Sequence, residues 1–161
     1  MTRLCSITRQ RHLANIECEP GLCTDFLKLL KLEVEKMSEQ GKCCALNIDE
    51  MALQPKYEYD SSTKQYVGHI TLPLSEKQQE KRIKQFGKYD SKCEIAHHAM
   101  NAFLYGMSTF WKQLIAFHFT GLSFSAKAVA EWIVAMIKQL QSINLKLLLV
   151  SMDSGKSNLA V

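Results

Sequence analysis

A chain of 161 residues with 47% hydrophobic, 22% charged and 9% aromatic content has a globular composition and the length of one domain or slightly more, which excludes wholesale disorder and two full domains. No apolar run approaches the roughly 20 residues of a bilayer span, and no apolar segment follows the basic stretch Met1 to Arg11, so an intracellular protein without a membrane partner is expected. The net charge of +4 is modest, so its distribution matters more than its sum.

In chain order, the first 23 residues carry three arginines and close on the turn signal Glu19-Pro20-Gly21. The next segment predicts a helix, with Thr24 as its cap and Asp25 in its first turn. Phe26, Leu29, Leu30, Glu33, Val34 and Met37 give it a largely apolar stripe, and Gly41 its end. Cys43 to Ile48 is a short apolar run followed at once by Asp49-Glu50, the pattern of a buried strand whose C-terminal end opens onto solvent. Lys56 to Tyr59 and Gln65 to Ile70 flank the polar turn Asp60 to Lys64 as a hairpin, closed by Pro73.

Between Glu76 and Lys92 six basic residues (Lys77, Lys81, Arg82, Lys84, Lys88, Lys92) stand against three acids, whereas Cys43 to Ser75 has two against four. Such a run is either a solvated face or a phosphate contact. Beyond it, Ala96, Met100, Phe103, Leu104 and Met107 have the spacing of a helix over Ile95 to Met107. Leu114 to Phe119 is a strand, broken by Thr120-Gly121. A long helix follows, capped by Ser123 or Ser125 and buried along Val129, Trp132, Ile133, Met136, Ile137 and Leu140. Leu145 to Val150 then predicts a central buried strand. The order implies an α/β fold with a mixed sheet. Pattern alone leaves open whether Leu145 to Val150 lies beside Cys43 to Ile48.

Two apolar strands are each followed within three residues by an aspartate, Asp49 and Asp153. If the strands are parallel neighbours, both acids emerge at one sheet edge, where ligands of α/β folds bind. Carboxylates that close repel unless a cation lies between them, and Mg²⁺ takes such hard oxygen ligands. Aspartates are also ordinary turn and cap residues, so the pattern can arise without function. Glu50, next to Asp49 on a continuing strand, would point to the other face and is left out of the metal shell. Gly155-Lys156-Ser157 imitates the end of a phosphate-binding loop, but Val150 stands where its first glycine belongs, so nucleotide binding is not expected. Cys93, His97 and His98 match no common zinc spacing. His69 and His118 alternate with apolar strand residues, as histidines satisfied by local hydrogen bonds do. Six cysteines without a CxxC pair are expected to be reduced and mostly buried.

The run Leu46-Asn47-Ile48-Asp49-Glu50-Met51, then Tyr59-Asp60, then Tyr66-Val67-Gly68-His69, resembles the first catalytic block of P-element transposases and their THAP-domain relatives. Trp111-Lys112-Gln113, the strand to Phe119-Thr120-Gly121, and Val150 to Asn158 look like later blocks in the same order, and Ile7 to Leu22 is similar to the segment that precedes the core. Residues 76 to 92 are the least family-like. The resemblance implies a partial RNase H-like fold, with a helical segment over residues 1–42 preceding a domain over 43–161. It further implies a core that cuts and joins DNA with Mg²⁺ or Mn²⁺ held by three acids. Asp49 matches the first acid and Asp153 the second, as catalytic and metal-binding residues. No residue of the chain matches the third, which the family carries far downstream, and no zinc-binding THAP domain precedes the core. Lys156 stands where the family has a small residue.

The resulting expectation is a segment of a DNA transposase core, catalytically incomplete by itself, nuclear, bound to transposon-end DNA and able to self-associate. The alternative is a non-catalytic, transposon-derived relic that at most binds nucleic acid or protein through its basic surface.

Overall fold

The computed structural model describes residues 19–61 and 63–152. In chain order the elements are β1 (Gly21–Leu22), α1 (Thr24–Val34), β2 (Cys43–Ala52), β3 (Glu58–Asp60), β4 (Gln65–Val67), α2 (Glu76–Phe86), a 3₁₀ turn (Ser91–Cys93), β5 (His98–Gly106), β6 (Lys112–Thr120), α3 (Ala126–Ser142) and β7 (Lys146–Met152). Five strands form one sheet in the order β1-β6-β5-β2-β7, and β3 and β4 form a separate hairpin. β2 runs antiparallel to β5 and parallel to β7, so the sheet is mixed, as expected. The last pairing settles what the pattern had left open.

The segment predicted as a helix over Ile95 to Met107 is instead the strand β5. Its apolar residues satisfy the spacing of a helix, but they equally fill two faces of a strand that pairs along its length with β2 on one side and β6 on the other. Hydrogen bonds to residues far off in sequence decide the matter, and local spacing does not record them. α1 forms where predicted, but Cys23 and not Thr24 precedes its first turn, and no side chain caps it. Its buried stripe is Leu27, Leu30 and Val34, with Leu29 51% exposed, because the sheet meets a face about one position round from the one expected. The long helix α3 fits closely: the Ser125 hydroxyl accepts from the Ala128 N–H at its start, and Val129, Trp132, Met136 and Leu140 are buried. β7, expected to be central, is the end strand among the described residues, with Leu148, Leu149 and Val150 exposed. Its uninterrupted apolar run is the mark of a strand covered on both faces, yet only Leu147 and Met152 pack against the core.

That core lies on one face of the sheet. Cys44, Leu46 and Ile48 of β2, Met100, Ala102 and Leu104 of β5, and Ile115 and Ala116 of β6 meet Leu27, Leu30 and Val34 of α1 and the stripe of α3. Alternation along β2 is strict from Cys43 to Ile48, so Ala45 and Asn47 turn to the opposite face. There Lys112 Nζ sits 4.1 Å from the centre of the Phe103 ring and 4.9 Å from that of Tyr105. Trp111 binds the ends together, donating from Nε1 to the Gly41 carbonyl at 3.3 Å. A Cβ at Gly106 would collide with Trp111 Nε1 and Thr109 O, so this turn needs glycine.

Candidate metal-binding edge of the sheet

Asp49 stands inside β2 and not beyond it, because the strand continues through Ala52 on its pairing with β5. The expected end at Ile48 was four residues short: polar side chains interrupt the apolar run, but the backbone ladder continues through them. Asp49 lies opposite Asn101 and is exposed. Its Oδ1 accepts the Glu50 N–H at 2.9 Å, and the carboxylate accepts no other hydrogen bond among the described residues. Strand alternation puts it on the same face as Asn47. A strand in the middle of a ladder holds such a carboxylate more rigidly than a loop would.

Glu50 faces the other way, as its position in the strand predicted. Its Oε1 accepts the Thr120 hydroxyl at 3.1 Å and lies 3.7 Å from His98 Nδ1. Thr120 is the one buried polar residue among those described, and His98 Nδ1 also approaches the Gly121 carbonyl at 3.3 Å. This Glu50-Thr120-His98 group joins the ends of three strands. Sequence reasoning missed it because Thr120 and His98 lie 70 and 48 residues beyond Glu50, and only the register brings them together.

The other predicted residues separate. Cys93 is exposed beside Arg82 and Phe86, while His98 belongs to the Glu50 group. His118 Nδ1 lies 2.9 Å from Thr71 Oγ1, so the histidine is satisfied by a hydrogen bond as expected, but by a residue 47 positions away and not by a local one. Cys43, Cys44 and Cys93 are free thiols. Burial pushes the Cys44 thiol up to about 11, which keeps it protonated and unreactive at neutral pH.

Parallel pairing of β2 with β7 ends at Asn47↔Ser151 and Ile48↔Met152. Asp153 follows Met152 in sequence but lies outside the described residues, as do Gly155-Lys156-Ser157, Cys5 and Cys18. Among the described residues no three His, Cys, Asp or Glu side chains converge. What that edge offers is hard oxygen: the Asp49 carboxylate, with the amides of Asn47 and Asn101 in neighbouring register positions. Such donors suit Mg²⁺ or Mn²⁺ and not zinc.

The family model of the TNP-like RNase H N-terminal domain matches residues 18–161. This chain belongs to that family. Its fold is also that of the protein in the Drosophila P element transposase strand transfer complex, with a TM-score of 0.64 at 18% identity over 97% of this chain. The chain spans 28% of that protein's length. No curated protein sequence matches it. The RNase H-like fold of a P-element-type transposase, expected from the motifs around Asp49, Trp111 and Val150, is therefore the fold of this chain.

Proposed function

We propose that this RNase H-like chain forms part of the catalytic core of a DNA transposase, with Asp49 and Asp153 as the carboxylates that hold divalent cations against a DNA phosphodiester. The observation that carries the reading is the parallel register of β2 and β7, whose last pair, Ile48↔Met152, immediately precedes both aspartates in sequence. Membership of a transposase RNase H-like family supports the same chemistry.

When bound, Mg²⁺ or Mn²⁺ would supply the Lewis acid that stabilises the attacking and leaving oxygens of the phosphodiester. Asp49 contributes a negatively charged ligand fixed on a rigid strand, with an oxygen left over after the Glu50 N–H is satisfied. Glu50 stays out of that shell, since Thr120 and His98 engage it on the opposite face. Asp49 and Asp153 match two of the three acids that the resemblance implies, and metal binding is the property that this pair would confer. A DNA substrate would set the protein to work in the nucleus, on transposon ends.

Calorimetric titration with Mn²⁺ provides the test. Saturable binding in the millimolar range or tighter, abolished by Asp49→Ala, is the expected result. Binding that survives Asp49→Ala, or no binding at millimolar metal, would overturn the reading and leave a non-catalytic binding module.

A further inference from the structure

The residues least like the family form a feature of their own. Of the chain's excess of four positive charges, three lie between Glu76 and Lys92 (six bases less three acids). The first eleven of these residues fold as α2, a helix with no buried residue. Lys77, Lys81 and Lys84 recur at i, i+4 and i+7, so they line one stripe about 10 Å long. All three are exposed, and none enters an ion pair among the described residues.

Arg82, on another side of the helix, is already engaged. It pairs with Glu94 at 2.7 Å and lies 5.8 Å from the centre of the Phe86 ring. Gln79 Nε2 donates to the Leu74 carbonyl at 2.6 Å. The helix is thus moored by Gln79 and Arg82, and the lysine stripe is left to solvent. Gly87, at φ 77°, ends it, and Lys88 and Lys92 continue the positive charge beyond. Glu76 and Glu80 lie beside the stripe and reduce its charge without reversing it.

Position gives the charge a meaning. The chain leaves α2 through the 3₁₀ turn and enters β5 at His98, which pairs with Ala52, three residues past Asp49. The Leu53 N–H donates to the His97 carbonyl at 2.8 Å in the same place. The basic helix therefore joins the sheet at the end that carries Asp49.

We propose that the Lys77-Lys81-Lys84 face of α2 is a docking surface for the phosphate backbone of duplex DNA, which it holds across the Asp49 end of the sheet. This rests on the reading above for the identity of the polyanion. The interaction is one of charge: it reads no bases, and it strengthens as salt falls because phosphate-bound counterions are released. Lysine suits it, as a point charge on a flexible stem.

Fluorescence anisotropy with labelled duplex DNA, in EDTA and across a series of salt concentrations, tests the surface. The triple variant Lys77→Gln, Lys81→Gln, Lys84→Gln should bind at least about tenfold more weakly at low salt. Its log–log salt slope should be shallower by about three, one for each phosphate that the variant no longer neutralises. A control removing the same charge elsewhere, Lys31→Gln, Lys127→Gln, Lys138→Gln, should change affinity far less. Equal losses in the two variants would overturn the proposal in favour of a mere net-charge effect, and so would wild-type binding by the α2 variant. Tighter binding of duplex RNA, or of vesicles containing phosphatidylserine, would overturn the assignment to DNA. If the unaltered protein binds no duplex at all, the DNA reading itself fails. If it binds and the α2 variant binds as well, only this surface fails.

Discussion

His118 stands on the core side of β6, with Nδ1 2.9 Å from Thr71 Oγ1 and its ring edge-on to Trp132 at a centroid distance of 5.0 Å. Burial disfavours the imidazolium and pulls the pKa down from 6.5 to about 4. The unfolded chain therefore takes up this proton first as pH falls. The stability contribution is complete above pH 6.5, declines through the interval below it, and is lost by about pH 4, where the folded form also protonates. Thermal scans from neutral pH to about pH 4 should show a falling midpoint, and His118→Gln should flatten that dependence. An unchanged slope in the variant would mean that other groups carry the acid sensitivity. The histidine was visible in the sequence as an apolar-flanked strand residue, but its partner Thr71, 47 positions away, was not. Asp49 was legible for the opposite reason: a carboxylate directly after an apolar strand run needs no distant partner to stand out.

Among the elements, α1, α3, the hairpin and the strands β2, β6 and β7 form where expected, whereas α2 was not foreseen and β5 was expected as a helix. α3 has an amphipathic stripe and a capping serine, both contained in its own residues. β5 carries a similar stripe yet is a strand, because β2 and β6 offer it two ladders. The β3–β4 hairpin was expected from its tyrosine-rich arms, and Tyr59 and Tyr66 do pack across it, 5.3 Å between ring centres. Its base depends on Gly68, whose φ is +110° and where a Cβ would run into the Lys56 carbonyl. Gly68→Ala is expected to destabilise by more than the about 1–2 kcal/mol that a left-handed conformation costs other residues. Gly87, also at positive φ but facing open space, should lose only that amount as Gly87→Ala. Urea denaturation of the two variants separates the contributions, and equal losses would remove the collision from the account.

At the scale of the whole molecule, α1, the sheet and α3 share one core, since Leu30 and Val34 belong to the same buried cluster as Leu46, Leu104 and Leu140. Leu30→Ala is expected to cost about 2–5 kcal/mol and to lower a single cooperative transition. Far-ultraviolet circular dichroism and tryptophan fluorescence should report the same midpoint. Separate midpoints would mean that α1 unfolds by itself. A longer tie is Glu39, which bonds Lys146 at 2.8 Å and Lys42 at 2.6 Å and so links the turn before β2 to the start of β7. Those lysines hold its carboxyl down at about 2. Glu39 and Lys146 are exposed, so that bond is screened by salt and adds little stability.

The sequence by itself determined the mixed α/β class, the helices α1 and α3, the strands β2 and β6, the resemblance around Asp49 and the basic character of residues 76 to 92. All of these are local: they depend on the chemistry of neighbouring residues and on the period with which apolar side chains recur. Only the tertiary structure decided that β5 is a strand, that β7 lies parallel to β2 at the sheet's end among the described residues, that Thr120 and His98 meet Glu50, and that the chain from α2 enters the sheet at the end that carries Asp49. Each of these is settled by hydrogen bonds or packing between residues tens of positions apart, and periodicity within a segment carries no record of which distant backbone will complete its ladder.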